Sequence, residues 1–174
     1  LSPKALLKIL ETNHLSLREL RTDDDAEFVY ELLNSPNFLK YIGNRGVRTV
    51  DEAANFIENR YRVSYRDNGF GLYVVEQKRD GVAVGLCGFV KRGTLPGPDI
   101  GFAFLPEFEG LGYGFESAHA TMQYGRETLG FKRVLAITSL DNDASIRLLE
   151  KLGFKFEKLI ENSDETIRLF TSDI

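Results

Sequence analysis

One short stretch of the chain carries three alternating glycines, where an apolar extended segment meets a helical pattern. They are Gly110, Gly112 and Gly114, within the run from Pro106 to Glu116. Glycine at alternate positions lets successive backbone N–H groups converge, and the helix that follows adds its positive dipole end and its unpaired amides. This pattern favours a loop that binds a diphosphate. The alternative is a tight strand-to-helix turn without a ligand, and the surrounding sequence has to decide between the two.

Two well-known phosphate loops are excluded by the residues themselves. The dinucleotide fingerprint G-x-G-x-x-G requires glycine where Phe115 stands, and an acidic residue about 20 positions further on at a strand end. A nucleoside-triphosphate loop requires Gly-Lys followed by Ser or Thr, but no lysine or arginine occurs between Pro106 and Gln123. If the loop binds phosphate, it serves another ligand.

Length and composition indicate one globular domain. The chain has 174 residues, 43% of them hydrophobic, and shows no change of composition that would suggest a second domain. We predict a single domain over residues 1–174, in which residues 1–11 are an N-terminal extension and residues 12–174 are the core.

Charge and cysteine content limit the partners. The net charge of −4 comes from 22 basic and 26 acidic residues that are intermixed, so no nucleic acid partner is expected. Cys87 is the only cysteine, which excludes a cysteine-held zinc site and fits a reducing compartment. We therefore predict a cytoplasmic protein without a metal. No apolar run approaches the length of a membrane span, so no membrane partner is expected either.

Hydrophobic periodicity predicts the element order β-α-α-β-β-β-α-β-α-β-β. The predicted segments are a strand at 14–21, a helix that begins at 22–25 and ends before Pro36, a helix at 49–68, hairpin strands at 72–76 and 82–90, a strand at 99–105, a helix from the glycine turn to about 129, a strand at 133–138, a helix at 142–152 and strands at 154–160 and 166–170. This order predicts an α/β fold with a mixed, mostly antiparallel sheet and helices on both faces. The strand–helix–strand segment across 99–138 requires a parallel crossover, and the glycine turn lies at the carboxyl end of its first strand.

Two motifs in the correct order and spacing resemble the GNAT superfamily of acyl-CoA N-acyltransferases, most closely its ribosomal-protein N-terminal acetyltransferase branch. The first motif is IGF at 100–102 followed by PEFEGLGYGFE at 106–116, and the second is NDASIRLLEKLGF at 142–154. The segment LSLR at 15–18, with Asp25, is also similar to the branch's first strand and helix. The resemblance covers about residue 12 to the end, and it implies a GNAT-like fold whose central parallel strands splay apart.

The resemblance also implies acetyl-CoA as cosubstrate and a set of residues that hold it. Backbone groups of Phe104 and Leu105 would pair with the pantetheine arm like an added strand, and Asn142 would bond its amide region. Lys151 would approach the adenosine 3′-phosphate, although it also fits a solvated lysine on a short helix. The pyrophosphate would be held by backbone amides of the loop, namely those of Gly110, Leu111, Gly112, Tyr113, Gly114 and Phe115.

The chain departs from the family pattern at three positions. Glu109 stands where Gln or Arg is common, and Leu111 where the branch often has a basic residue, so a carboxylate lies near the expected diphosphate. Leu149 stands where many members have the tyrosine that protonates the leaving thiolate. Ser145 is then the nearest hydroxyl that could act as the acid, although a serine at a helix start is also an ordinary cap.

Asp99 is the candidate general base. Acetyl transfer needs a neutral amine, and Asp99 occupies the position where many family members have a Glu that removes the proton, often through water. An Asp in a Pro-Asp turn before a strand is the equally weighted alternative. Cys87 fits a small buried strand residue better than a nucleophile, because no motif ties it to either histidine. Aromatic residues that could line the acceptor cleft, although most of them are expected in the core, are Tyr41, Phe70, Tyr73, Phe89 and Phe102.

The sequence thus predicts an acetyl-CoA-dependent N-acetyltransferase that acts by direct attack on a primary amine. The acceptor is a peptide or protein N-terminal α-amine in the first interpretation, and a small amine such as an antibiotic or polyamine in the second. The acceptor pocket is expected from residues 34–70 and the loop at 93–98. A non-catalytic acyl-CoA-binding module is the remaining alternative. The oligomeric state, monomer or homodimer, stays open.

Overall fold

A computed structural model describes residues 8–174, whose strands all belong to one sheet. The strands are β1 (Lys8–Glu11), β2 (Leu15–Arg18), β3 (Leu72–Gln77), β4 (Ala83–Val90), β5 (Asp99–Phe104), β6 (Arg133–Ser139), β7 (Lys155–Asn162) and β8 (Glu165–Asp173). The helices are α1 (Ala26–Leu33), α2 (Val50–Phe56), α3 (Arg62–Asn68), α4 (Tyr113–Glu127) and α5 (Asp143–Lys151). Short π-helical turns lie at Phe38–Ile42 and Ile57–Tyr61, and a 3-10 turn at Pro106–Phe108.

The sheet has the strand order β1-β2-β3-β4-β5-β6-β8-β7. Every neighbouring pair is antiparallel except β5 and β6, which are parallel. The prediction of a mixed, mostly antiparallel sheet with one parallel crossover is therefore confirmed. The crossover is α4, which follows β5 directly through the glycine loop and returns the chain to β6.

Helices cover both faces of the sheet, and the alternation of side chains in the strands separates two cores. In β3, Val74 packs into a core with α1 and α2, whereas its neighbour Val75 packs into a core with α4 and α5. Both valines are fully buried. The two helical layers hold the central strands from opposite sides and leave their ends free to carry loops.

Two parts of the structure differ from the sequence prediction. Residues 8–11, predicted within an N-terminal extension, form β1 and pair with β2 at the edge of the sheet. The sequence at 22–25 predicts an N-cap and an acidic first turn for α1, but the Asp25 side chain does not cap the helix. Asp25 instead accepts two hydrogen bonds of 2.8 Å from Arg18, which is buried. A buried guanidinium without a charged partner costs more free energy than an uncapped helix end.

Candidate active site

A wedge opens between the parallel strands β5 and β6. Their ladder contains a single pair, Asp99 with Leu135, and the Leu135 amide donates to the Pro98 carbonyl at 2.9 Å. Beyond that pair, β5 stays bonded to β4 as far as Phe104, and β6 to β8 as far as Ser139. The strands therefore splay toward their carboxyl ends, which agrees with the splayed pair that the sequence resemblance implies.

Phe104 presents its backbone to this wedge, but Leu105 does not present its amide. The Leu105 amide donates to the Val84 carbonyl of β4 at 2.9 Å. Because backbone groups of successive strand residues point to opposite sides, those of Phe104 face away from β4 and toward the wedge. Of the two residues expected to pair with pantetheine, Phe104 thus has the free backbone groups on this side.

The glycine loop ends in a helix start with no internal cap. Gly110 has φ 75° and Gly112 has φ 83°, backbone angles that favour glycine, and an added Cβ would meet no atom within 4 Å at either residue. The N-cap of α4 makes no side-chain hydrogen bond. The backbone amides of residues 110–115 donate no hydrogen bond to any acceptor within residues 8–174. This run of amides, open to an approaching group, fits an anionic ligand.

Two residues of the loop make contacts that stabilise the fold. The Tyr113 hydroxyl donates to Gln77 Oε1 at 2.8 Å and ties the start of α4 to β3. A Cβ on Gly114 would lie 3.2 Å from Leu148, so this glycine also permits close packing of α4 against α5. The Leu111 side chain is 57% exposed. Any contact of these residues with a diphosphate would therefore use their backbone amides.

Lys151, at the end of α5, reaches over the first turn of α4. Its Nζ lies 4.1 Å from the centroid of the Phe115 ring. A cation above an aromatic face is held by the ring quadrupole, so the ammonium stays beside the glycine loop. This contact places a positive charge near a loop that has no cation of its own.

Asn142 and Ser145 are joined to each other at the start of α5. The Asn142 Oδ1 accepts a hydrogen bond from the Ser145 amide at 3.3 Å, an N-cap arrangement. The Asn142 side chain would therefore use its Nδ2 for any bond to pantetheine. Both residues line a large cleft, and the Ser145 hydroxyl makes no hydrogen bond within residues 8–174.

This cleft has a volume of about 860 Å³ and also contains Asp99. Asp99 and Ser145 thus face one space, although no hydrogen bond joins them. Of the five aromatic residues predicted to line it, Tyr41, Phe89 and Phe102 do so. Phe70 and Tyr73 are core residues that do not line the cleft, and Phe89 belongs to the same core as well. The acceptor region predicted at 34–70 contributes to this cleft, whereas the loop at 93–98 lines a smaller adjoining cavity of about 480 Å³.

Asp99 is buried, with 1% of its surface exposed, and is paired with Arg92. The Arg92 Nε lies 3.1 Å from one carboxylate oxygen and 3.2 Å from the other. Burial raises the pKa of Asp99 to about 6 even though Arg92 acts in the opposite direction. A carboxylate with this pKa is ionised at neutral pH and is a stronger base than an exposed aspartate.

Two buried hydroxyls in the same cleft were missed by the sequence analysis. Thr138 and Ser139, at the end of β6, are each 8% exposed. Neither hydroxyl has a hydrogen-bond partner among residues 8–174. Buried hydroxyls are normally paired, so an unpaired one beside a cleft marks a place where a ligand can bind. Polar residues at the carboxyl end of a parallel strand were the available sequence signal.

Other residues considered from sequence have structural roles. Cys87 is fully buried, and burial raises the pKa of its thiol to about 11, so it is neither accessible nor ionised at neutral pH. His14 contacts Glu116 at 2.7 Å, and the His119 ring packs against Phe115. Glu109 turns its carboxylate toward Asn37 Nδ2, at 3.0 and 3.2 Å.

Comparison with known proteins agrees with this arrangement. The profile of the Acetyltransferase (GNAT) domain matches residues 14–155. The N-acetyltransferase YoaA of Bacillus subtilis, itself uncharacterized, is 28% identical over 156 residues, which cover 89% of this chain and 87% of YoaA. The uncharacterized protein YkkB of the same organism is 30% identical over 164 residues, 92% of this chain and 93% of YkkB.

The fold is shared with a solved acetyltransferase from Agrobacterium tumefaciens, with a TM-score of 0.82, 21% identity and coverage of 98% of this chain and 96% of that one. This chain belongs to the GNAT acetyltransferase family. It is an acetyl-CoA-dependent N-acetyltransferase, as its sequence predicted. Within residues 8–174, no helix is both long and apolar enough to cross a membrane.

Proposed function

We propose that this enzyme acetylates the N-terminal α-amine of a peptide or protein by direct attack on acetyl-CoA. The observation that carries this proposal is one cleft that contains Asp99 and Ser145 and is lined by β5, the strand that leads into the loop of unpartnered amides. An open cleft of about 860 Å³ has room for the first residues of a peptide as well as for the thioester. We also propose that the protein is a single domain and that it is located in the cytoplasm.

Coenzyme binding rests on the backbone. The amides of residues 110–115 hold the pyrophosphate, and the backbone groups of Phe104 receive the pantetheine arm along the free side of β5. Asn142 Nδ2 bonds the arm from the other side of the wedge, and Lys151 meets the adenosine 3′-phosphate. This set fits acetyl-CoA because it combines an open strand edge with an anion-binding helix start.

Proton transfer then needs one base and one acid. Asp99 accepts a proton from the acceptor ammonium through a water molecule, because an aspartate side chain is short. The neutral nitrogen attacks the thioester carbonyl carbon, the carbon–sulfur bond breaks, and the Ser145 hydroxyl donates a proton to the leaving thiolate. The second proton that the attacking nitrogen must lose to become an amide passes through solvent in the cleft and restores the Ser145 hydroxyl. Thr138 and Ser139 supply hydroxyls that can bond the carbonyl oxygen as its negative charge develops.

An acceptor screen tests this function. The intact protein with acetyl-CoA is offered a library of N-terminal peptides beside polyamines and aminoglycosides, and release of free CoA thiol is measured. We expect thiol release with peptides, and a mass increase of one acetyl group on the α-amine. Turnover with polyamines or aminoglycosides alone would contradict the peptide assignment, and coenzyme binding without turnover on any amine would favour the non-catalytic module.

A further inference from the structure

Four basic side chains line the cleft beside the reacting groups. They are Arg45, Arg60, Lys91 and Arg92. Arg92 is paired with Asp99, but the other three contact no carboxylate within residues 8–174. We refer to Arg45, Arg60 and Lys91 as the cationic cluster. The acidic residues that line the same cleft are Asp99 and Glu165.

The members of this cluster come from different parts of the chain and line the same cleft. Arg45 follows the first π-helical turn, Arg60 lies in the second, and Lys91 follows β4. Arg45 is exposed at the surface, but partial desolvation lowers the pKa of its guanidinium. Tyr61 raises this pKa, and the nearby positive charges of Arg92 and Arg60 lower it. Arg45 and Arg60 each lie 5.9 Å over an aromatic ring, of Phe38 and Phe56 respectively, and have no carboxylate partner within residues 8–174. They are therefore available to form ion pairs with a bound anion.

The expected coenzyme phosphates lie far from Lys91, and Arg45 lies close enough to Arg92 for their charges to interact. Lys91 and Arg92 stand beside Asp99, at the start of β5, whereas the glycine loop follows the other end of that strand. The six residues of β5 span about 17 Å at about 3.3 Å per residue. Since the pyrophosphate belongs to the loop, the cationic cluster faces the region from which the acceptor reaches Asp99.

We propose that the cationic cluster binds an acidic side chain of the acceptor peptide, within the first residues after the acetylated α-amine. This inference rests on the proposed peptide function and names the class of peptide. The guanidinium groups of Arg45 and Arg60 match a carboxylate in shape and can bind it through paired hydrogen bonds. The same charges repel polyamines and lysine-rich peptides, so they select as well as bind.

Three hexapeptides that differ only at positions two and three provide the test. The pair is Asp-Glu, Asn-Gln or Lys-Lys, and the first residue is the same in all three. Both kcat/KM with acetyl-CoA and peptide affinity in the presence of CoA are measured, the latter by fluorescence anisotropy. We expect a five- to tenfold preference for the acidic over the neutral peptide, since each exposed ion pair is worth up to about a factor of five, and a further loss for the basic one. Added salt should reduce the preference.

Variants link the preference to the cluster. Arg45→Gln and Arg60→Gln should each lower the acidic-to-neutral ratio, and Arg60→Glu should turn the preference toward the basic peptide. Arg66→Gln is the matched control, because Arg66 is an exposed arginine on α3 that pairs with Glu58 and does not line the cleft. It should keep the wild-type ratio.

The outcomes separate this inference from the proposed function. Equal kcat/KM for acidic and neutral peptides would overturn the inference and leave peptide acetylation standing. Tight, cluster-dependent binding of the acidic peptide without acetylation would support the inference and contradict the function. Free aspartate and glutamate are included as small acceptors. Turnover of these amino acids in preference to every peptide would overturn the assignment of the carboxylate to a peptide side chain.

Discussion

The Nε of Arg92 lies 3.1 Å from Oδ1 of Asp99, so the candidate base of this enzyme is one half of an ion pair. The pair joins the end of β4 to the start of β5, the one place where β5 also bonds to β6. Asp99 is therefore fixed at the closed end of the wedge. Burial favours its neutral form and Arg92 its charged form, and together they give a pKa of about 6.

The pH dependence of turnover reports on this carboxylate. Asp99 is a base only when ionised, so kcat/KM should fall about tenfold per pH unit below about pH 6. Asp99→Asn should lower kcat/KM by about 10²–10⁴-fold near neutral pH, and by less as the pH approaches the pKa of the acceptor amine. Asp67→Asn, an exposed aspartate outside the cleft, is the control. Near-native turnover of Asp99→Asn across the pH range would remove Asp99 from the mechanism.

Removing Arg92 should move the acid limb of the same profile. Arg92 lowers the pKa of Asp99, so Arg92→Met should raise that pKa and shift the acid limb of kcat/KM to higher pH. The measurement is a pH–rate profile at saturating acetyl-CoA. An acid limb that stays in place would mean that another group is titrating.

Ser145 should act on departure of the thiolate and leave coenzyme binding almost unchanged. Ser145→Ala is expected to lower kcat by about 10²-fold while the Kd for acetyl-CoA changes little. Ser139→Ala and Thr138→Val test the two unpaired hydroxyls of the same cleft, and Ser172→Ala on β8 is the control outside it. If Ser145→Ala keeps native kcat, Ser145 is not the acid. Loss of kcat in Ser139→Ala or Thr138→Val would then show that the hydroxyls of β6 contribute to the reaction.

Lys151 should distinguish the coenzyme from its dephosphorylated form. Its ammonium is held 4.1 Å from the Phe115 ring centroid, beside the glycine loop. Lys151→Met keeps a long side chain over the ring and removes the charge. We expect several-fold weaker binding of CoA and unchanged binding of 3′-dephospho-CoA in calorimetry. Equal losses for both ligands would mean that Lys151 only supports the packing of α5 on α4.

Much of the fold follows from local pattern. Alternating apolar residues defined most strands to within a few positions, and Thr49 and Gly69 marked the ends of the second helical segment, where Thr49 accepts from the Glu52 amide and Gly69 adopts a left-handed backbone. The short strand β1 was missed because four residues carry too little periodicity. Its pairing with β2 is set by tertiary contact.

The features of the site that depend on local backbone conformation could be predicted from the sequence. The features that depend on contacts between distant residues could not. The glycine loop was visible from spacing alone. The contact between Glu109 and Asn37 joins residues 72 positions apart, and no local signal reports it. The direction of the Leu105 amide depends on the register of β4 and β5, which sequence alone does not give. The cationic cluster likewise exists only once three separate segments converge.

Binding of acetyl-CoA to a Gly112→Val variant tests the central claim most directly. Gly130→Val is the matched control, because Gly130 has φ 73°, compared with 83° for Gly112, and an added Cβ at Gly130 also meets no atom within 4 Å. Both variants should lose similar stability from backbone strain. In isothermal calorimetry at a temperature where both are folded, we predict native affinity for Gly130→Val and no measurable binding for Gly112→Val. Equal affinity of the two variants would show that the amides of the glycine loop do not hold the coenzyme.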